Sequence, residues 1–214
     1  MCEKVSWPLI LKDTFVQVLC AVYGPHSVRW RSRVLNDRCV INCQYSMATF
    51  STSDRRERPR GDRRSHEYAR LIEKTFRAAI LTELFPRAQV DIYCEVIEAD
   101  GSCLAACINA ATLALVDAGV PIRGLVAATT CACASNGTPC VDMNSREESS
   151  SVPRMTVATL SGTDELLLTE LDNRLHVDYL PKVLDAIVEA AAKVHACLEK
   201  AVVDEMHSAQ LVCN

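Results

Sequence analysis

Three short stretches of this sequence hold residue types that could do chemistry. The first runs from Ser51 to Arg64, where Pro59 is the only apolar residue and Arg55, Arg56, Arg58, Arg60, Arg63 and Arg64 crowd together. Between Arg55 and Arg64 only Glu57 and Asp62 carry the opposite charge. Arginine suits phosphate because its planar fork gives two parallel charge-assisted hydrogen bonds. Arg63 and Arg64 also fall near an expected helix start, where unpaired backbone N–H groups attract anions. From composition alone, a solvated loop tip explains the run as readily.

The second stretch is Ala99-Asp100-Gly101-Ser102-Cys103-Leu104-Ala105. A strand, a turn of small residues and a helix start form a phosphate cradle in many proteins. Simple capping by Asp100 or Ser102 is the plainer account, and the turn offers no positive charge. The third stretch is Val141-Asp142-Met143-Asn144-Ser145-Arg146-Glu147-Glu148. Asp142 is expected to end a strand, with Glu147 and Glu148 five and six residues on. Carboxylates so spaced could converge on a divalent cation or act as a general acid. A polar surface loop leading into Ser149-Ser150-Ser151 explains them equally.

The elements that must position these residues are legible from periodicity. Phe15 to Tyr23 reads as a strand ended by Gly24-Pro25. In Cys39 to Phe50, Cys39, Ile41, Cys43, Tyr45 and Met47 alternate with Asn42, Gln44 and Ser46, the pattern of a half-buried strand. Ser65 to Leu84 reads as a helix with a stripe of Tyr68, Leu71, Ile72, Thr75, Ala79 and Ile80, stopped by Pro86. Val90 to Ala99 alternates as a strand, and Cys103 to Ala118 is a helix apolar nearly all round, which predicts burial between layers. Short strands are expected at Leu125–Ala134, Pro139–Met143, Met155–Leu160 and Leu166–Leu171. Pro181 to about Glu205 is a final helix with Val183, Leu184, Ile187, Ala191, Val194 and Leu198 inside. Strands and helices mix without regular alternation, so the expected class is α+β with helices on mixed sheets. Residues 15–214 read as one domain, and residues 1–14 as an atypical leading segment.

Bulk properties narrow the functions. A net charge of −4 argues against a protein that coats nucleic acid over its whole surface, while leaving room for a local basic patch. The 12 cysteines are scattered, without a Cys-x-x-Cys pair or a histidine at ligand spacing, so they read as buried free thiols in a reducing setting and no metal site is expected. The longest small-apolar run, Leu104 to Val116, contains Asn109 and is too short for a membrane span.

Several blocks, in order, resemble the ribonuclease PH family, in the branch that builds the exosome core ring. They are Ala21-Val22-Tyr23-Gly24-Pro25, Tyr45 to Ser51, Asp62-Arg63-Arg64-Ser65, Leu81 to Arg87 and Ile108 to Leu115. The resemblance runs from about Phe15 to the C-terminal helix. It implies a duplicated β-α fold, the ribosomal protein S5 domain 2-like type, and rings of paired subunits around a channel for single-stranded RNA. Active members shorten RNA from its 3′ end with inorganic phosphate as the attacking group. Arg63 and Arg64, with Arg60 beside them, match the residues that grip the RNA backbone. Asp142 matches the catalytic carboxylate, and Glu148 stands where active members carry a second Asp.

Two departures shape the expectation. Active members hold phosphate with a Gly-Ser/Thr-Arg turn, and here Ser102, Cys103 and Leu104 stand in its place. Losing two charge-assisted bonds of roughly 1.5–3 kcal/mol each implies on the order of 10²- to 10⁴-fold slower turnover. Asp142 and Glu148 are then vestigial. The family also opens with an Arg/Asp/Gly-rich segment and further strands, which this sequence appears without, so an exposed first-sheet edge is expected. The resemblance therefore implies a non-catalytic, RNA-guiding ring subunit without cofactor. Its partners would be paralogous ribonuclease PH-like ring subunits, RNA-binding cap subunits and an associated hydrolytic nuclease, in nucleus, nucleolus and cytoplasm, with no membrane. The alternative is an active phosphate-dependent exoribonuclease, using inorganic phosphate and Mg2+, in which Arg146 replaces the missing arginine.

Overall fold

The computed structural model describes residues 5–11, 14–28, 34–55, 62–134, 137–148, 151–163 and 165–212. Its strands are β1 (Val5–Leu11), β2 (Thr14–Ser27), β3 (Val40–Met47), β4 (Ala88–Glu98), β5 (Val126–Cys133), β6 (Pro139–Val141), β7 (Arg154–Leu160) and β8 (Leu166–Asp172). Its α-helices are α1 (Arg63–Ala79), α2 (Cys103–Asp117), α3 (Ser145–Glu148) and α4 (Leu180–Val212). They form two four-stranded sheets, ordered β1-β2-β4-β3 and β6-β5-β7-β8. Each half ends in a long helix laid on its strands, α2 against β2 and α4 against β5.

Alternation sets the first sheet. In β4, Val90, Ile92, Cys94 and Val96 are essentially inaccessible, and in β3 Ile41 and Tyr45 are buried while Gln44 faces water. Cys20 and Cys94 meet across the β2–β4 pair as free thiols, sulfur atoms 3.6 Å apart. Every residue of α2 from Leu104 to Leu115 is buried, as its uniformly apolar sequence predicted, because the helix touches both sheets. Asn109 pays for its place there with two bonds: its amide accepts from Ala128 N–H at 2.7 Å and donates to Ala128 O at 3.0 Å. Thr112 likewise donates to Val126 O at 2.9 Å. These bonds pin α2 to β5, a strand buried along its whole length. One apolar core consequently runs from β2, β3, β4 and α1 through α2 into β5, β7 and β8. None of the described helices is long and apolar enough to cross a membrane.

Some boundaries differ from expectation. β2 does not stop at Gly24-Pro25 but continues to Ser27, because a register shift between Tyr23 and His26 absorbs the turn residues. α1 begins two residues before Ser65 and ends at Ala79 rather than Leu84. Ile80 turns extended there and pairs with Ile122, and a short 3-10 turn, Thr82–Leu84, follows. The leading segment, read as atypical, supplies β1, which lies antiparallel along β2. The edge of that sheet is therefore β1, and Pro8 within it suits an edge position.

Candidate functional site

Strands β3 and β4 are parallel and joined through α1. Both strands thus end at one end of the sheet, and the helices that follow them, α1 and α2, both begin there. Ligands of open α/β sheets are usually bound at such strand ends. Tyr45, near the end of β3, packs edge-on against Tyr68 in the second turn of α1, ring centroids 5.3 Å apart. That contact holds the start of α1 over the strand end.

Arg63 and Arg64 are the first two residues of α1 and both are exposed. Asp62 at the N-cap makes no side-chain capping bond, so the helix start relies on neither. Arg63 Nε donates to Glu67 Oε1 at 3.0 Å, yet its side chain is 92% exposed, and such a surface pair opens at little cost. An open hollow of about 450 Å³ lies along this face, lined by Arg63, His66, Glu67 and Arg70. Arg60, Arg56 and Arg58 lie outside the described residues.

The start of α2 is built differently. Ser102, at its N-cap, takes a left-handed conformation (φ 51°) and makes no capping bond. Instead its hydroxyl donates to Met143 O at 3.4 Å, and Asp100 Oδ1 accepts from Ser145 N–H at 3.3 Å. The expected cap is thus replaced by a clamp between the turn and the loop after β6. Gly101 makes the clamp possible: at φ 101° a Cβ there would lie 2.2 Å from Met143 O. Leu104 is buried in the main core, so it offers no charge to an anion. Cys103 is half-buried beside it.

The same clamp brings Asp142 to the turn. β6 ends at Val141, two residues short of the expected Met143, and Asp142 has φ 62° with its N–H donating to Thr130 O at 3.0 Å. The two glutamates do not converge with it on a cation. Glu147 and Asn144 form a capping box on α3: Asn144 Oδ1 accepts from Glu147 N–H, and Glu147 Oε2 accepts from Asn144 N–H, both at 3.1 Å. Glu148 is ion-paired with Arg154, whose other terminal nitrogen reaches Asp172 Oδ2 at 2.5 Å. Burial weighs against the Arg154 charge, but Glu148 and Asp172 more than offset it and hold the guanidinium above its usual range. Burial also raises the Tyr68 hydroxyl, with the charges of Arg64, Arg154, Glu148 and Glu170 all acting on it. Arg64 of the first stretch and Glu148 of the third thus both act on Tyr68.

Arg154 was not legible as a site residue, since in sequence it is a lone arginine opening a buried strand. Among the described residues, no group of three or more His, Cys, Asp or Glu side chains is disposed to hold a metal ion. The arrangement leaves two cations exposed at the start of α1 and a closed turn, with no cation of its own, at the start of α2.

Two sheets sharing a buried helix, with helix starts gathered at the ends of a parallel strand pair, define an α+β protein of the ribonuclease PH type. Residues 13–121 match the family model described as "3' exoribonuclease family, domain 1". Proteins of Caenorhabditis briggsae and Homo sapiens, both named for the exosome complex component RRP41, are 54% identical over 191 residues and 46% identical over 200. The alignments cover 89% and 92% of this chain, and 78% and 80% of those proteins. The crystal structure of rice Rrp46 superposes with a TM-score of 0.78 at 19% identity, covering 94% of this chain and 93% of that one. The Archaeoglobus fulgidus exosome with RNA bound to its active site gives 0.70 at 18%, covering 90% and 86%. The chain belongs to the 3′ exoribonuclease family, the ribonuclease PH family.

Proposed function

We propose that this chain is a subunit of an exosome core ring that holds single-stranded RNA and does not cut it. The observation that carries this reading is the contrast at the shared strand end. Arg63 and Arg64 are exposed, Arg63 held only by its surface pair with Glu67, while Leu104 is buried and Glu148 is taken by Arg154. Phosphate contacts of this kind position RNA without reading its sequence. The names of the relatives support the ring assignment. With it go paralogous ring subunits, RNA-binding caps and an associated hydrolytic nuclease as partners, no resident cofactor, and residence in nucleus, nucleolus and cytoplasm.

The test is to incubate the assembled complex with labelled RNA, with and without inorganic phosphate. No phosphate-dependent release of nucleoside diphosphates is expected from this subunit. Release that disappears in Asp142→Ala would establish the active reading instead. In the same complex, Arg63→Glu with Arg64→Glu should weaken RNA capture and flatten the salt dependence by about 1.4, at about 0.7 per single-strand phosphate contact. Unchanged capture at physiological salt would refute the RNA-holding role.

A further inference from the structure

Phe50 stands out at the strand end, a residue 72% exposed against 38% for Tyr93 and 36% for Tyr179. It does not hang from a loose end. Ala48 before it is buried and donates its N–H to Val96 O at 2.9 Å. Ser51 after it is also buried, its N–H donating to Ala48 O at 3.1 Å and its carbonyl accepting from Ala99 N–H at 2.9 Å. The turn is thereby stitched to the end of β4, one residue before the Asp100 turn. The fold thus holds an aromatic ring out in water beside the starts of α1 and α2.

An exposed aromatic alone is ordinary surface. Its surroundings give this one meaning. Residues 51–55 are all polar, Arg55 is exposed, and Arg63 and Arg64 open α1 at the same end of the sheet. A protein partner seeking an apolar contact would meet a single exposed ring next to a polar segment. An unpaired nucleic-acid strand finds both of the things it needs: cations for its phosphates and a flat apolar face for a base. We propose that Phe50 is a stacking platform for an unpaired RNA base, set beside the arginines that hold the backbone. This rests on the RNA-holding reading above and adds a contact with the bases. With the backbone fixed on both sides of Phe50, only its side-chain rotamer has to be ordered on binding, which favours stacking.

The experiment titrates the full chain, alone and in its complex, with a single-stranded RNA oligonucleotide and with a matched oligonucleotide carrying abasic positions. Phe50→Ala should weaken binding of the intact strand by roughly 5- to 150-fold. Phe50→Trp and Phe50→Tyr should retain it, and Phe50→Leu should not. The abasic strand should bind wild type and Phe50→Ala alike, and the salt dependence should not change between them. Wild type that binds RNA equally with Phe50→Ala would overturn the stacking role and leave the RNA-holding reading standing. Wild type that binds no RNA in either form would remove both. Failure of Phe50→Ala to enter the complex, with Phe50→Leu entering normally, would make the ring a protein contact and overturn the proposal.

Discussion

Helices α1 and α2 begin at the same end of the same sheet, one after each strand of a parallel pair. Neither start has a side-chain cap, so both leave backbone N–H groups for something else. At α1 those groups lie beside two exposed arginines, open to solvent. At α2 the preceding turn is clamped to the loop after β6, and the second helical residue is a core leucine. Two helix starts of equal electrostatic promise thus differ: one is open beside two exposed arginines, the other is a joint between the halves. Under the proposed function, RNA holding and the absence of turnover are compatible because they reside in different helix ends.

The largest effect should come from breaking the joint. In Gly101→Ala the new Cβ would fall 2.2 Å from Met143 O and 2.8 Å from the Asn144 carbonyl carbon, at a φ of 101° that side chains rarely adopt. Backbone atoms cannot retreat as a flexible side chain would, so the loop must detach. A loss of about 3 kcal/mol or more in unfolding free energy is expected. Urea denaturation checks it; a loss under about 1 kcal/mol would mean the joint is not where the halves are held.

Next is the arginine that pairs with Glu148. Arg154→Ala leaves Glu148, Glu170 and Asp172 without their shared cation. Because Asp172 is half exposed, the cost at neutral pH should be about 2 kcal/mol, below that of breaking a fully buried pair. Glu170 gives this a pH signature. Burial first, then Asp172, raises its pKa, while Arg154 works the other way. A carboxyl with a raised folded-state pKa is favourable below its unfolded value and becomes a liability as pH climbs through the folded one. Removing Arg154 raises that folded pKa further. The stability gap between wild type and Arg154→Ala should therefore narrow as pH falls toward 4.5 and widen above it. A gap independent of pH would assign the loss to packing alone.

How much of this could be read beforehand follows from the range of each interaction. The burial of α2 was legible because an all-apolar helix has no face for water, and the β3 and β4 faces were legible from their alternation. Pro8 obscured β1, since proline argues against a strand unless the strand lies at an edge, and that depends on pairing with β2. The capping box was present as Asn144-x-x-Glu147, a local pattern that a search for paired acids passes over. The tie from Arg154 to Asp172 was not present locally at all. It exists because β7 and β8 pair in a register that sets Arg154 opposite Asp172. Phe50 had a weaker signal, an aromatic between a strand end and a polar run, and only the bonds of Ala48 and Ser51 show that it is held outward.

The smallest expected effect sharpens the comparison most. If α2 still offered its N-terminus to a dianion, inorganic phosphate would stabilise the folded chain by mass action, about 2.7 kcal/mol at a hundred times its dissociation constant. The clamp at Asp100 and Ser102 and the burial of Leu104 leave no counter-charge there, so phosphate should do no more than a matched sulfate solution, which strengthens burial in any protein. Thermal melts of the full chain in the two salts at equal ionic strength should coincide. Both anions could also meet Arg63 and Arg64, so the same melts are run on the Arg63→Glu, Arg64→Glu variant. A phosphate-specific rise that survives in that variant would place the anion at α2 and erase the difference between the two helix starts. A rise abolished by it would return the anion to α1, where the arginines already are.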